Sequence, residues 1–220
     1  MRHTLVRLRF IWDNITTIIY TEALNLVIAS IVLAKFTQLY TMQRPTFISF
    51  NLTADHSIDY LLGILHDARA TTLQRVANIS VAELHWQYAE GWNTIGVLLS
   101  HIIGITHLFR IVFIEERELT AHENERYLPG IKMGEFIPQL ITQQPISSYL
   151  ADLALASDLL MLQIKQLSAD QFQQKREGYN PETGCNLAWV LYHLAEDEVH
   201  HRGQISILRK LYAQIHTQTT

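Results

Sequence analysis

The sequence predicts an all-α fold: a four-helix bundle with a long crossover connection, preceded by an N-terminal helical extension. Three observations predict it. Four long stretches carry apolar residues at helical spacing, each opened by a capping residue or a break. No stretch alternates apolar and polar residues as a half-buried strand would, and no internal repeat is present. The 220 residues are 48% hydrophobic and 17% charged, enough apolar material for a core and too much for a disordered chain.

Residues 1–41 differ from the rest. Arg2, Arg7, Arg9 and Lys35 against Asp13 and Glu22 give a net of +2, which leaves −6 for the remainder of a chain whose total is −4. The apolar run from Ala23 to Ala34 is twelve residues long and contains Asn25. That is short of the ~20 apolar residues of a membrane span, and Asp13, Asn14 and Glu22 block its extension backwards. No convincing cleavage site follows it. The segment reads as a weak anchor, an extra packed helix, or sequence upstream of a natural start at Met42, and the third reading is favoured.

The bundle is expected over residues 52–213. Candidate caps between Asn51 and Asp55 precede Ile58, Leu61, Leu62, Leu65, Ala68 and Leu73, a first helix ending near Asn78. Ser80 to Glu83 fits a capping box opening one short turn. The break at Gly91–Thr94 leads into a second long helix from Ile95 to about Ile114. The acidic, proline-containing stretch 115–145 reads as a polar crossover holding one short helix near Gly134–Thr142. Ser147 or Ser148 caps a third helix reaching Leu167. The Asn180–Gly184 loop precedes a fourth, from Asn186 to about Ala213. Four amphipathic helices bury their stripes most economically as a bundle.

Composition narrows the chemistry. One cysteine, Cys185, excludes a disulfide framework and a cysteine-based zinc finger. A weakly acidic chain lacks the basic face of a nucleic-acid binder. Eleven histidines are the unusual count, so a metal site here must come from His, Asp and Glu.

Two core stripes are interrupted by polar residues. With His201 at zero and 100° per residue, Leu187, Val190, Leu194, Asp197, Ile205, Leu208 and Tyr212 fall within about 40° of it. An inward carboxylate must be compensated, and Asp197 and His201, four apart on one face, can hold one metal ion. On the second helix, the stripe Thr94, Val97, Ile105 and Leu108 is centred on His101. In a bundle the three can converge. A buried His–Asp pair with a separate core histidine satisfies the same positions without metal, and spacing alone leaves both readings open. Glu198 lies about 60° to one side, as a proton acceptor beside the metal or a solvent-facing group. His193 and His200 lie on the other flank, as groups supporting the site or lining a pocket or, the favoured reading, as half-exposed packing residues. His107 lies outside the site, His85 and Trp86 line a pocket mouth or, more in keeping with loop aromatics, cover the core, and His122 is on the surface. Gly203 suggests close helix packing, and Arg202 suggests a carboxylate partner.

The segment from Trp189 through His193, Asp197, His201 and Gln204 to Ile205 resembles the last helix of the DinB-like superfamily. Leu65 to Leu73 and Asn93 to Ile102 resemble its first two helices, so the likeness covers the whole bundle. It implies an up-and-down four-helix bundle of unusual connectivity. It also implies a divalent metal, zinc or nickel, held by His101, Asp197 and His201, with Asp197 standing where many relatives have histidine. Its better understood members are transferases or isomerases that use small thiols, and members are commonly dimeric. The resemblance thus implies a metal-dependent enzyme, a small-thiol transferase first, acting as a homodimer on a small-molecule substrate. The acidic balance and the short apolar run add the expectations of no nucleic acid, no membrane and a cytoplasmic location. The alternatives are a metal-dependent hydrolase, in which bound water takes the place of the thiol, and a non-catalytic, stress-associated bundle with a structural metal.

Overall fold

The computed structural model describes residues 48, 51–53, 55–177, 182 and 184–217. Residues 1–41 and most of the Asn180–Gly184 loop lie outside them. The described residues form eight α-helices with one π-helical and one 3-10 turn, and no strand: α1 (His56–Arg75), α2 (Val81–Leu84), α3 (Ile95–Phe109, continued by a π-helical turn Arg110–Ile114), α4 (Ala121–Lys132), α5 (Ile137–Leu140, after a 3-10 turn Gly134–Phe136), α6 (Ile146–Ile164), α7 (Ala169–Gln173) and α8 (Leu187–Thr217). The long helices α1, α3, α6 and α8 make the all-α bundle that the periodicity predicts.

The caps explain most boundaries. Asp55 opens α1, its side chain accepting from the amides of Ser57 and Ile58, and the chain leaves the helix through Asn78 at φ 58°. Ser80 accepts from the Glu83 amide, but the Glu83 carboxylate turns away to Arg209 on α8, 2.7 Å from its Nε. Half of the expected capping box is thus exchanged for a tertiary ion pair. Thr94 caps α3. α6 starts at Ile146 with Pro145 as N-cap, two to three residues before the expected serine caps; proline's fixed φ suits the start of a helix and its missing N–H costs nothing there.

The crossover is richer than expected. Where the sequence suggests a polar connection with one short helix, α4 adds twelve residues, held at its start by a reciprocal capping box between Thr120 and Glu123. It packs on α3 backbone to backbone. A Cβ on Gly130 would lie 2.5 Å from the Ser100 carbonyl oxygen, and one on Gly104 would lie 3.2 Å from the Tyr127 carbonyl oxygen. Glycine on both helices permits this approach, and the approach brings the end of α4 beside the site.

The main core joins Leu62, Leu65, Phe109, Phe113, Leu160, Phe172, Val190 and Leu191 from five helices and the π-helical turn. α1 and α8 run in the same direction, since Arg69 pairs with Glu198, Thr71 with Arg202 and Arg75 with Arg209. Among the described residues one helix, Ile95–Ile114, is long and apolar enough to cross a membrane, and most of it is buried inside the bundle.

Candidate metal centre

His101 comes from the middle of α3, Asp197 and His201 from successive turns of α8. One ligand-capable atom from each lies within 4.8 Å of the other two. Asp197 Oδ1 is 3.2 Å from His201 Nε2 and 3.7 Å from His101 Nε2. The two imidazoles meet edge to face with ring centroids 4.7 Å apart. Both histidines are buried, at 9% and 5% exposure.

The far side of each ring is fixed. His101 Nδ1–H donates to the Gly130 carbonyl, 3.0 Å away. That carbonyl is free because α4 ends at Lys132, and the last turn of a helix leaves its C=O groups without intrahelical donors. His201 Nδ1–H donates to Gln204 Oε1 at 3.1 Å. Gln204 is oriented in turn by donating from Nε2 to His200 Nε2 at 2.9 Å. With a proton on Nδ1, each ring directs its Nε2 towards the Asp197 carboxylate, as a lone pair when the ring is neutral and as an N–H donor when it is protonated.

With both rings neutral, three acceptors would face one another and repel unless positive charge lay among them. The proton equilibria report this demand. Burial alone pushes the Asp197 carboxyl up, but the facing His101 and His201 rings overcome it and hold the group well below the usual carboxylate range. Burial pushes the His201 imidazolium down, and the Asp197 carboxylate, aided by Gln204, reverses this and raises its pKa. A proton on His201 answers the demand; so does a divalent cation. Two imidazole nitrogens and one carboxylate oxygen are a fitting donor set for such an ion. Donors about 2.0–2.2 Å from a shared tetrahedral ion would stand roughly 3.3–3.6 Å apart, which the two carboxylate distances bracket. The group can therefore hold a metal ion, and fixed Nδ1 partners of this kind orient metal-binding histidines.

The other candidates have other partners. Both oxygens of Glu198, which is 1% exposed, accept from Arg69 Nε at 2.7 and 2.9 Å. The same guanidinium donates to the Leu153 carbonyl and Ser157 Oγ on α6, so Glu198 ties α8 to α1 and α6. His107 is buried away from the triad, stacked on Tyr127 at 4.3 Å, with Nδ1 lacking a hydrogen-bond partner; burial first, then Arg110 and Arg126, lower its pKa to about 4. His193 stacks on Trp189. His85 is buried and contacts the Gln144 carbonyl at 2.9 Å, Trp86 packs edge-on against Tyr212, and His122 is exposed. Three expectations are corrected. Glu198 neither faces solvent nor stands as a free proton acceptor, since it is buried and held by Arg69. Arg202 bonds the Thr71 hydroxyl, not a carboxylate. Gly203 packs against nothing: a Cβ there would find no atom within 4 Å.

Sequence reasoning missed the Gly130 carbonyl and Arg69. The first carries no side-chain signal. The second is 129 residues from its partner in the chain.

A cavity of about 390 Å³ lies along the same two helices, with Leu98 on α3 and Gln204 and Leu208 on α8 among its walls. Comparison with curated proteins finds no match. The family model of the DinB superfamily does match, over residues 64–205, a span that runs from within α1 to within α8 and takes in both helices that supply the triad, and the chain belongs to that superfamily.

Proposed function

We propose that the protein is a divalent-metal-dependent enzyme that transfers or adds a small thiol to an electrophile, with zinc or nickel held by His101, Asp197 and His201. The observation that carries the reading is the convergence of two Nε2 atoms on a half-buried carboxylate while both Nδ1 atoms are tied back. Three protein donors suit an ion that keeps positions open for a reactant. When bound, such an ion supplies Lewis acidity, favouring the deprotonated form of a thiol near neutral pH.

The chain's own residues do the rest. Gly130 and Gln204 hold the two rings in the ligating tautomer, Asp197 contributes the negative charge, and the buried setting strengthens both effects. Glu198 takes no part, because Arg69 holds its carboxylate. The thiol proton leaves to solvent and the sulfur forms the new bond to carbon. The electrophile releases a leaving group, or takes up a proton at carbon if it is an activated alkene, or breaks a C–O bond and takes up a proton at that oxygen if it is an epoxide. Cys185 is partly buried, and burial raises its pKa, so the thiol comes from outside. The cavity next to the triad favours a catalytic over a structural ion. The family resemblance adds a homodimer, and the acidic balance and short apolar run add a cytoplasmic location with neither nucleic acid nor membrane engaged.

Elemental analysis of the purified chain should find about one zinc or nickel per chain, lost in His201→Ala. Metal-loaded protein should then consume a small thiol in the presence of an activated alkene or epoxide. Hydrolysis of esters or amides instead would move the assignment to a hydrolase, and full occupancy with neither activity would leave a structural ion. Absence of stoichiometric metal would end the reading.

A further inference from the structure

The cavity beside the triad has a composition that selects what can enter it. Its lining includes Trp92, Asn93, Leu98, Gln204, Ile207 and Leu208, and no lining residue carries a charge. Burying a charged ligand among such groups is costly without a partner, whereas an apolar one gains from contact. Trp92 and Ile207 are large apolar residues left 47% and 56% exposed, so a ligand seated there would cover surface that the fold leaves in water. The Asn93 carboxamide oxygen is buried with no hydrogen-bond partner. A buried acceptor without a donor is a net cost, which a ligand N–H or O–H would offset. About 390 Å³ lies within the range of small-molecule sites.

The cavity is coupled to the triad by one side chain. Gln204 lines the cavity and accepts from His201 Nδ1. Leu98 stands one turn before His101 on α3, and Leu208 two turns after His201 on α8, so the same two stripes serve both places. From this juxtaposition we infer that the cavity binds the electrophilic substrate of the metal centre, and that this substrate is an uncharged, largely apolar molecule carrying one hydrogen-bond donor. Asn93 reads the donor, Trp92 and Ile207 cover the apolar body, and Gln204 is the positioning residue that links occupancy of the cavity to the His201 ring. The inference rests on the metal-enzyme reading for the word substrate; the binding site itself rests on the cavity.

The probe is N-phenyl-1-naphthylamine, which is uncharged, aromatic and carries one N–H, and whose fluorescence rises in apolar surroundings. Zinc-loaded protein should bind it saturably, one per chain. Ile207→Trp, which fills the mouth from an exposed position, should weaken binding at least tenfold while the circular dichroism and zinc content are retained, and Asn93→Leu should weaken it several-fold. The anionic analogue 1-anilinonaphthalene-8-sulfonate should bind at least tenfold less tightly. With cobalt(II) loaded in place of zinc, saturating probe should change the visible bands of the metal, and this change should vanish in Gln204→Leu. Equal binding to wild type and Ile207→Trp, preference for the anion, or cobalt bands indifferent to the probe would each overturn the inference. The two readings fail separately. Zinc binding without probe binding leaves the metal site and removes the cavity's role, whereas probe binding to a protein that takes up no zinc leaves the pocket and removes the enzyme.

Discussion

Replacing Gly130 by alanine tests whether α4 is part of the metal site or only packing beside it. The added Cβ would lie 2.5 Å from the Ser100 carbonyl oxygen and 2.9 Å from its carbon. Both atoms are backbone in the middle of α3, so no rotamer change relieves the clash. To reach an ordinary contact of at least 3.4 Å, α4 must withdraw by about 1 Å, and overpacking of this kind costs roughly 1–3 kcal/mol. The same withdrawal stretches the 3.0 Å bond from His101 Nδ1–H to the Gly130 carbonyl to about 4 Å, past hydrogen-bonding range. His101 then loses the partner that fixes its tautomer. Loss of such a partner lowers metal affinity by about 10–100-fold. Urea titration measures the first effect, and competition for zinc against a chromophoric chelator measures the second. A variant that is destabilised but binds zinc as tightly as wild type would refute the role given to Gly130, because the clash would have been absorbed without moving the carbonyl.

Gly203→Ala should do the opposite, since its side chain meets open space and alanine is worth about 0.5–1 kcal/mol over glycine inside a helix; urea titration should show a higher midpoint. Asp197→Asn keeps the shape and removes the charge, so zinc affinity should fall by about 100-fold, as ~3 kcal/mol for a contact with a charged group converts, while Asp197→His should retain binding. Buried His107 has its pKa lowered from 6.5 to about 4. The unfolded chain therefore binds the proton more readily, and stability is lost as pH falls from 6.5 towards 4. At about 1.4 kcal/mol per unit this amounts to roughly 3 kcal/mol. His107→Phe, which keeps the stack on Tyr127, should flatten that part of the stability curve, as read by denaturant midpoints across the range, and leave zinc binding unchanged.

What could be read in advance follows the physics of side chains. α1, α3, α6 and α8 were legible because each buries a stripe of large apolar residues, which repeats at the helical period whatever surrounds it. His101, Asp197 and His201 were legible as polar residues on those stripes. α4 was not, because it has little stripe to read: of its residues only Gly130 is buried. Its contact with α3 uses glycine and carbonyl groups that leave no apolar pattern. Pro129-Gly130 looks like a turn, yet both lie inside the helix, and the better signal was Thr120 with Glu123 three residues on. α7 carried the same signal in Ser168 and Gln171. Gly203 shows the converse error: a glycine within a helix suggests a close neighbour, and here none is present.

Asp197 and Glu198 show why an inward carboxylate alone does not mark a metal site. They are consecutive on α8, and the helical turn of about 100° per residue sends them to different neighbours. Glu198 meets Arg69, a group that carries its positive charge at every accessible pH, and the pair is complete within the protein. Asp197 meets two imidazoles whose outer nitrogens are already spent on Gly130 and Gln204, so its partners bring lone pairs and no fixed charge. The first arrangement satisfies itself; the second is completed by a proton on His201 or by a cation. Sequence shows two acidic residues side by side, and only the identity of what each one faces separates an internal brace from a place where an ion can bind.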